Sequence, residues 1–300
     1  MNRVAQHPGQ AFAVALGAVA LLSIMDAVMK HLVLAIGIIA VSVWRAVANL
    51  VISAGLYLPR RLPWPSRATL RIHLTRGVLV TVMAFLFFWG IGRVPLAQAI
   101  ALTFIAPLLS LVLASLLLDE QIGPRSLAGS IVAFVGVVVI MFGQARAQLG
   151  FNVLLGSAAI LGSALCYAGN IVMMRRQALA ARPLEINFFQ SLTVMVLWVA
   201  ALPFVGIPQS PGFQWTWIAV AALLSTSGTL LYGWAYARGE ASYLAVTEYS
   251  AFLWASVLGW LVFRERVSLY TAAGAVLIVG GCLVAARRRA AVPPEIKAAA

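Results

Sequence analysis

Charge is scarce in this sequence: Asp, Glu, Lys and Arg together make up 10% of its 300 residues, against about a quarter in an ordinary soluble domain. Only eight residues are acidic, three are histidine and two are cysteine. So little charge cannot cover the surface of a water-soluble domain, and disorder is excluded by the same shortage. Cys166 and Cys282 both lie within apolar segments, so a secreted disulfide scaffold is excluded and both read as packing residues. His7, His31 and His73 have no metal-ligand spacing, and neither an HExxH run nor a Gly-flanked serine elbow occurs. Metal-dependent and triad-type enzymes are disfavoured accordingly, and no residue pattern calls for a cofactor. What is present is apolar: 63% of the residues are hydrophobic and the mean hydropathy is +0.98.

The basic residues outnumber the acidic ones strongly enough to give a net charge of +13. A nucleic-acid partner would need them gathered on one face of a soluble fold. Instead they sit at the ends of apolar runs, where they meet anionic lipid head groups and set orientation. The partners expected are a lipid bilayer and a small-molecule substrate, with no nucleic acid, and the chain is expected to act as a monomer.

Ten apolar runs follow one another, at about 10–36, 38–58, 74–92, 96–118, 127–143, 153–174, 186–205, 215–237, 241–263 and 269–286. Each is close to the roughly 20 residues that cross a bilayer as a helix. Continuous apolar runs must satisfy their backbone groups internally, so the class predicted is an all-α integral membrane protein with ten transmembrane helices. The first run carries Asp26 and Lys30, which marks it as a retained helix rather than a signal peptide. With the N-terminus inside, fifteen Lys and Arg fall on the inner side and Arg93, Arg146, Arg264 and Arg266 on the other. Both termini are therefore expected in the cytoplasm, and the location expected is the cell inner membrane.

A shift of 145 residues lays the sequence on itself. Trp89, Arg93, Glu120, Gly129 and Gly136 fall on Trp234, Arg238, Glu265, Gly274 and Gly281 in one ungapped register. The chain divides into a first five-helix repeat, 1–146, and a second, 147–300. Five helices is an odd number, so the second copy must enter the bilayer from the opposite side. Two inverted repeats around a central cavity are an arrangement that recurs in secondary transporters.

These features resemble a known family. The acidic motifs closing each fourth helix are Leu118-Asp119-Glu120-Gln121 and Phe263-Arg264-Glu265-Arg266; with them go the glycine-spaced fifth helices, Ile105-Ala106-Pro107 and Val43-Trp44-Arg45. Together they look like the EamA-type members of the drug/metabolite transporter superfamily over about 10–286. Phe252 stands where the first repeat has Pro107, and Gln190 where it has Arg45. The resemblance implies a ten-helix inner-membrane carrier of amino acids, metabolites or drugs, and within the superfamily it points toward exporters of aromatic amino acids. It also suggests a structural or gating role for Glu120 and Glu265. Surface pairing of these carboxylates with Arg125 or Arg266 is the simpler expectation.

An ionisable side chain at the centre of a span costs about 2.5–3.5 kcal/mol, so each one needs a partner, water or a substrate. Asp26 and Lys30 are one helical turn apart and can pair with each other, while Lys30 can also snorkel to the interface. Arg45 can clamp either Asp26 or a carboxylate ligand. Glu248 has no partner in its own segment and reads either as a cavity residue or as a protonated donor to a neighbouring helix. The formal charges of the four sum to zero, which suits a zwitterion. Phe85 and Trp89, the stripe Thr229 and Tyr232, and the stripe Tyr167 and Asn170 read either as helix contacts or as cavity wall. Gln98 and Thr103 in the fourth run and Glu248 and Tyr249 in the ninth complete the candidates, and Thr103 and Phe104 are repeat equivalents of Glu248 and Tyr249. No catalytic residue is expected. The function expected is export of small organic solutes, amino acids among them, by alternating access, with proton-coupled export of cationic drugs as the alternative.

Overall fold

A computed structural model describes residues 8–61, 64–106, 108–109, 124–146, 150–236, 238 and 247–286. Among them are ten α-helices and no strand. They are α1 (Pro8–Ile36), α2 (Ile38–Tyr57), α3 (Arg67–Ile91), α4 (Leu96–Thr103), α5 (Pro124–Arg146), α6 (Phe151–Ala180), α7 (Pro183–Val205), α8 (Trp215–Tyr236), α9 (Ser250–Phe263) and α10 (Leu269–Ala286). Six of these, α1, α2, α3, α6, α7 and α8, are long and apolar enough to cross a membrane. Shorter apolar stretches lie in α5, α9 and α10.

Helix ends follow local chemistry. Gly37 and Gly206, both with φ near +80°, turn the chain where α1 meets α2 and where α7 stops. Ser66 caps α3 by accepting from the Thr69 amide at 3.2 Å. The helix then begins seven residues before the apolar run that predicts it, so His73, just outside that run, is helical as well, and it and Arg76 are both buried.

The helices pack in a pattern that repeats. α1 lies along α8 as α3 lies along α6, and α2·α8 contacts correspond to α3·α7 contacts. α2 packs on α7, α4 on α9 and α5 on α10. Within this set of contacts, exchanging each helix for the one five places away gives another pair of the same set. α5 and α10 make the most extensive contact, and glycine makes it possible. A Cβ on Gly136 would sit 2.6 Å from the Gly274 carbonyl oxygen, and one on Gly281 would sit 2.4 Å from that of Gly129. Rising number on one helix meets falling number on the other, so the two run antiparallel.

A single large apolar core joins α1, α2, α3, α4, α5, α6, α8, α9 and α10, with Met29, Leu32, Ile91, Leu96 and Leu102 fully buried in it. It gathers around the end of α1 that carries Lys30. Toward the other end, two small clusters stand apart: Ala11, Ala15 and Ala235, and Tyr57, Phe188 and Phe189. Outward faces carry large apolar side chains, such as Ile131, Phe134 and Val138 on α5, as lipid contact requires.

The fourth and ninth helices both break. Helical backbone from Leu96 gives way to a turn at Phe104 and Ile105, and a short helical piece at Thr247 and Glu248 is separated from α9 by a turn at Tyr249. These are equivalent positions in the two halves. Pro107 explains the first break by removing a backbone donor. The second occurs with Phe252 in the equivalent place, so the break belongs to the packing as well as to proline.

Candidate functional site

Asp26 of α1 and Arg45 of α2 interact electrostatically across the helix interface. Both lie deep among packed neighbours yet remain partly accessible. The Arg45 guanidinium stands 4.8 Å from the centre of the Phe88 ring, a cation–π contact. Its Nε meets no acceptor, and one turn further along α2 the Asn49 Oδ1 meets no donor. The two side chains make no hydrogen bond and no ion pair within 4.0 Å, so the clamp on Asp26 is not closed and both readings of Arg45 stay open.

Lys30 does not join this pair. Its Nζ donates to the Val94 carbonyl at 2.7 Å and to Glu265 Oε1, while Glu265 Oε2 accepts the Leu96 amide at 2.8 Å. The Lys30–Asp26 pairing considered from sequence is thus replaced by a bond to a residue 235 positions away. Glu265 likewise forsakes the expected surface arginine for a bond that ties α1, the start of α4 and the end of α9 together. Glu120 and the side chain of Arg125 lie outside the described residues.

The remaining predicted residues fall in several places. Tyr232 donates its hydroxyl to Glu248 Oε1, joining α8 to the break before α9. The rings of Phe104 and Tyr249, the repeat-related pair, meet edge to face at 5.3 Å. Thr103, at the other break, bonds back to the Ile100 carbonyl, and Thr229 bonds back to Ser225. Phe85 packs against Trp198 of α7. Trp89 lies under the guanidinium of Arg93 at 3.5 Å, and Trp234 lies under that of Arg238 at 4.2 Å, the same contact in each half. Gln98 is buried and donates to Ser157 at 3.3 Å.

Asn170 is buried and engaged elsewhere. Its Oδ1 accepts from Arg76 Nε at 2.8 Å, and Tyr167 lies close enough to Arg76 to interact with it electrostatically. Arg76 also donates to Gln177, Gln177 meets His73 Nδ1 at 2.6 Å, and His73 Nε2 faces Glu185 at 3.2 Å. Sequence reasoning passed over Arg76, Gln177 and Glu185. The available signal was the seven-residue spacing of Asn170 and Gln177, which puts two amides on one face of α6, and the three-residue spacing of His73 and Arg76 on α3. Among the described residues no cluster of His, Cys, Asp or Glu could hold a metal ion.

Apolar helices with lipid-facing outer surfaces, broken in matched places beside a few polar side chains, define a multi-pass membrane transporter. The EamA-like transporter family model matches the chain twice, at residues 10–142 and 154–287, and the chain belongs to that family. It is similar to the pseudopaline exporter of Pseudomonas aeruginosa, at 25% identity over 75% of this chain and 78% of the relative. It is similar also to a riboflavin transporter of Brucella anthropi, at 22% identity over 83% and 88%. An S-adenosylmethionine uptake transporter of Rickettsia prowazekii matches at 24% identity over 71% and 70%. A solved crystal structure shares the fold, with a TM-score of 0.61 at 22% identity, covering 94% of this chain and all of that one. These findings point to a transporter of small molecules rather than an enzyme.

Proposed function

We propose that the protein is an inner-membrane exporter of small amphoteric solutes of the amino-acid type, aromatic ones included, working by alternating access. The observation that carries the reading is the Asp26–Arg45 pair, two opposite charges held deep between apolar helices and still partly accessible. A solute with a carboxylate and an ammonium can exchange places with such a pair at little electrostatic cost, because each of its charges meets the partner that the other side chain vacates. Tyr232 and Glu248 offer a further acidic site near the break in the ninth helix, and Phe85, Trp89, Tyr167 and Tyr249 supply aromatic faces.

Ten spans, with both termini cytoplasmic, arranged as inverted repeats 1–146 and 147–300, are the architecture this mechanism needs. The antiparallel packing of α5 on α10, the matched breaks at Phe104 and Tyr249 and the twofold match to the family model support it. In that frame Lys30 and Glu265 lie at the outer ends of their helices and close that side.

One observation favours a second reading. With Lys30 bound to Glu265, the charged set near the middle is Asp26, Arg45 and Glu248, which sums to one negative charge and suits a cationic solute. Flux into proteoliposomes separates the two readings, with labelled neutral amino acids set against quaternary cations, each with and without a pH gradient. Saturable amino-acid flux, accelerated by unlabelled amino acid on the far side, is the expected outcome. Cation flux that amino acids neither share nor inhibit would overturn the amphoteric reading in favour of the second.

A further inference from the structure

At the end of α3 remote from Lys30, five side chains from three helices are joined in one run: Asn170, Arg76, Gln177, His73 and Glu185. Four of the five are buried, with His73 wholly so, and Glu185 lies beside them at the start of α7. Neither the substrate reading above nor the apolar packing accounts for so complete a polar chain in this place.

The donors and acceptors fix its state. A guanidinium has donors only, so the Gln177 atom facing Arg76 has to be the amide oxygen. The Gln177 NH2 then faces His73 Nδ1 at 2.6 Å, which makes Nδ1 an acceptor without a proton. The single imidazole proton is left on Nε2, where the Glu185 carboxylate accepts it at 3.2 Å. The ring cannot readily escape this choice, because it is stacked on Phe189 with centres 5.1 Å apart and planes 9° from parallel. Arg76 in the interior therefore dictates, through one amide, which nitrogen of His73 carries the proton.

We propose that His73 is a proton-binding switch that works through Gln177 to decide whether Arg76 grips α6 at both Gln177 and Asn170 or at Asn170 alone. A second proton on Nδ1 confronts the Gln177 NH2 with another donor. Rotating the amide relieves that clash but turns its NH2 toward the guanidinium, so relief at His73 comes with loss of the Arg76–Gln177 bond and Arg76 keeps only Asn170. Imidazole is the side chain whose ordinary charge change falls in the physiological range, which suits it to this work. The charged and titratable groups around it are Glu185 from α7, Arg76 from α3 itself, Tyr167 from α6 beside Arg76, and Tyr57 from α2, which interacts with Glu185. Arg67, Arg71 and Arg182 nearby in the chain are exposed.

The test reads structure and not flux, so failure of the transport reading leaves it standing. In lipid nanodiscs, a His7→Gln/His31→Gln variant leaves one histidine for nitrogen NMR. The expected spectrum at neutral pH is the tautomer with its proton on Nε2, giving way in one step to the doubly protonated ring on acidification. Gln177→Glu turns an acceptor toward both neighbours, so in that variant the doubly protonated ring should persist at pH values where the parent shows the single tautomer. Spin labels at Arg71 and Arg182, with Cys166 and Cys282 replaced by Ala, should move apart over the same step, on the order of 2 Å. A proton found on Nδ1 at neutral pH, or a label distance that stays fixed while His73 titrates, would overturn the switch.

Discussion

Arg45 is held by charge and by the Phe88 ring rather than by a complete set of hydrogen bonds. Its Nε and the Asn49 Oδ1, one turn apart, are buried and unmatched, an expensive condition away from water. Removing one member of a buried charge pair costs about 2–5 kcal/mol, which corresponds to more than tenfold in an equilibrium constant. Asp26→Asn and Arg45→Met should therefore each raise the half-saturation concentration for transport at least about tenfold, and the double variant should fall well short of the combined effect. Kinetics in proteoliposomes check this; additive losses would show that the two side chains act apart. Lys30 makes a stability prediction of a different kind. Lys30→Met leaves the Glu265 carboxylate without its cation and should cost about 3 kcal/mol. Adding Glu265→Gln, which still accepts the Leu96 amide, should restore part of the loss, so the double variant should melt above the single one in detergent. The sequence marked Asp26, Lys30 and Arg45 as costly residues because an ionisable group in an apolar run is conspicuous on its own. It could not assign their partners, since Asp26 lies equally within reach of its own helix and of the next.

The helices were legible wherever hydrophobicity is continuous; the glycine spacing of α5 and α10 was visible too, but only the packing shows that the two helices meet through it. There a side chain would meet backbone that cannot yield. Gly136→Val and Gly274→Val place Cβ 2.6 Å from the opposing carbonyl oxygen, and each should cost about 1–3 kcal/mol in thermal unfolding. Gly280→Ala, on the same α10 but with no atom within 4 Å of the added methyl, should instead gain up to about 1 kcal/mol from helix propensity. Less legible was the start of α3. His73 fell outside the apolar run and Arg76 just inside its edge, because polar residues there resemble a solvated joint. The partners that make them tolerable inside, Asn170, Gln177 and Glu185, lie about a hundred residues further on.

For the whole molecule the proposed inversion makes a topological prediction. Cysteines introduced at Ser66 and Arg182, both exposed, should react with an impermeant thiol reagent only after the membrane is opened. Cysteines at Ser210 and Arg266, also exposed, should react in intact cells. Labelling of all four from one face would contradict two oppositely oriented halves. The contact pattern gives reason to expect the split: the same helix pairings recur when the halves are exchanged, and the repeat-related rings of Phe104 and Tyr249 meet each other. A pair of residues related by a twofold axis can touch only where that axis passes.

The membrane class, the number of apolar segments and the duplication were fixed by the order of residues alone, because transfer from water into lipid is summed along the chain and needs no knowledge of neighbours. The alliances of the polar side chains were settled only in three dimensions. Lys30 with Glu265, Arg76 with Gln177 and Tyr232 with Glu248 are each one choice among several donors and acceptors of similar chemistry. Which of those come within 3 Å depends on how helices distant in the chain lie against one another.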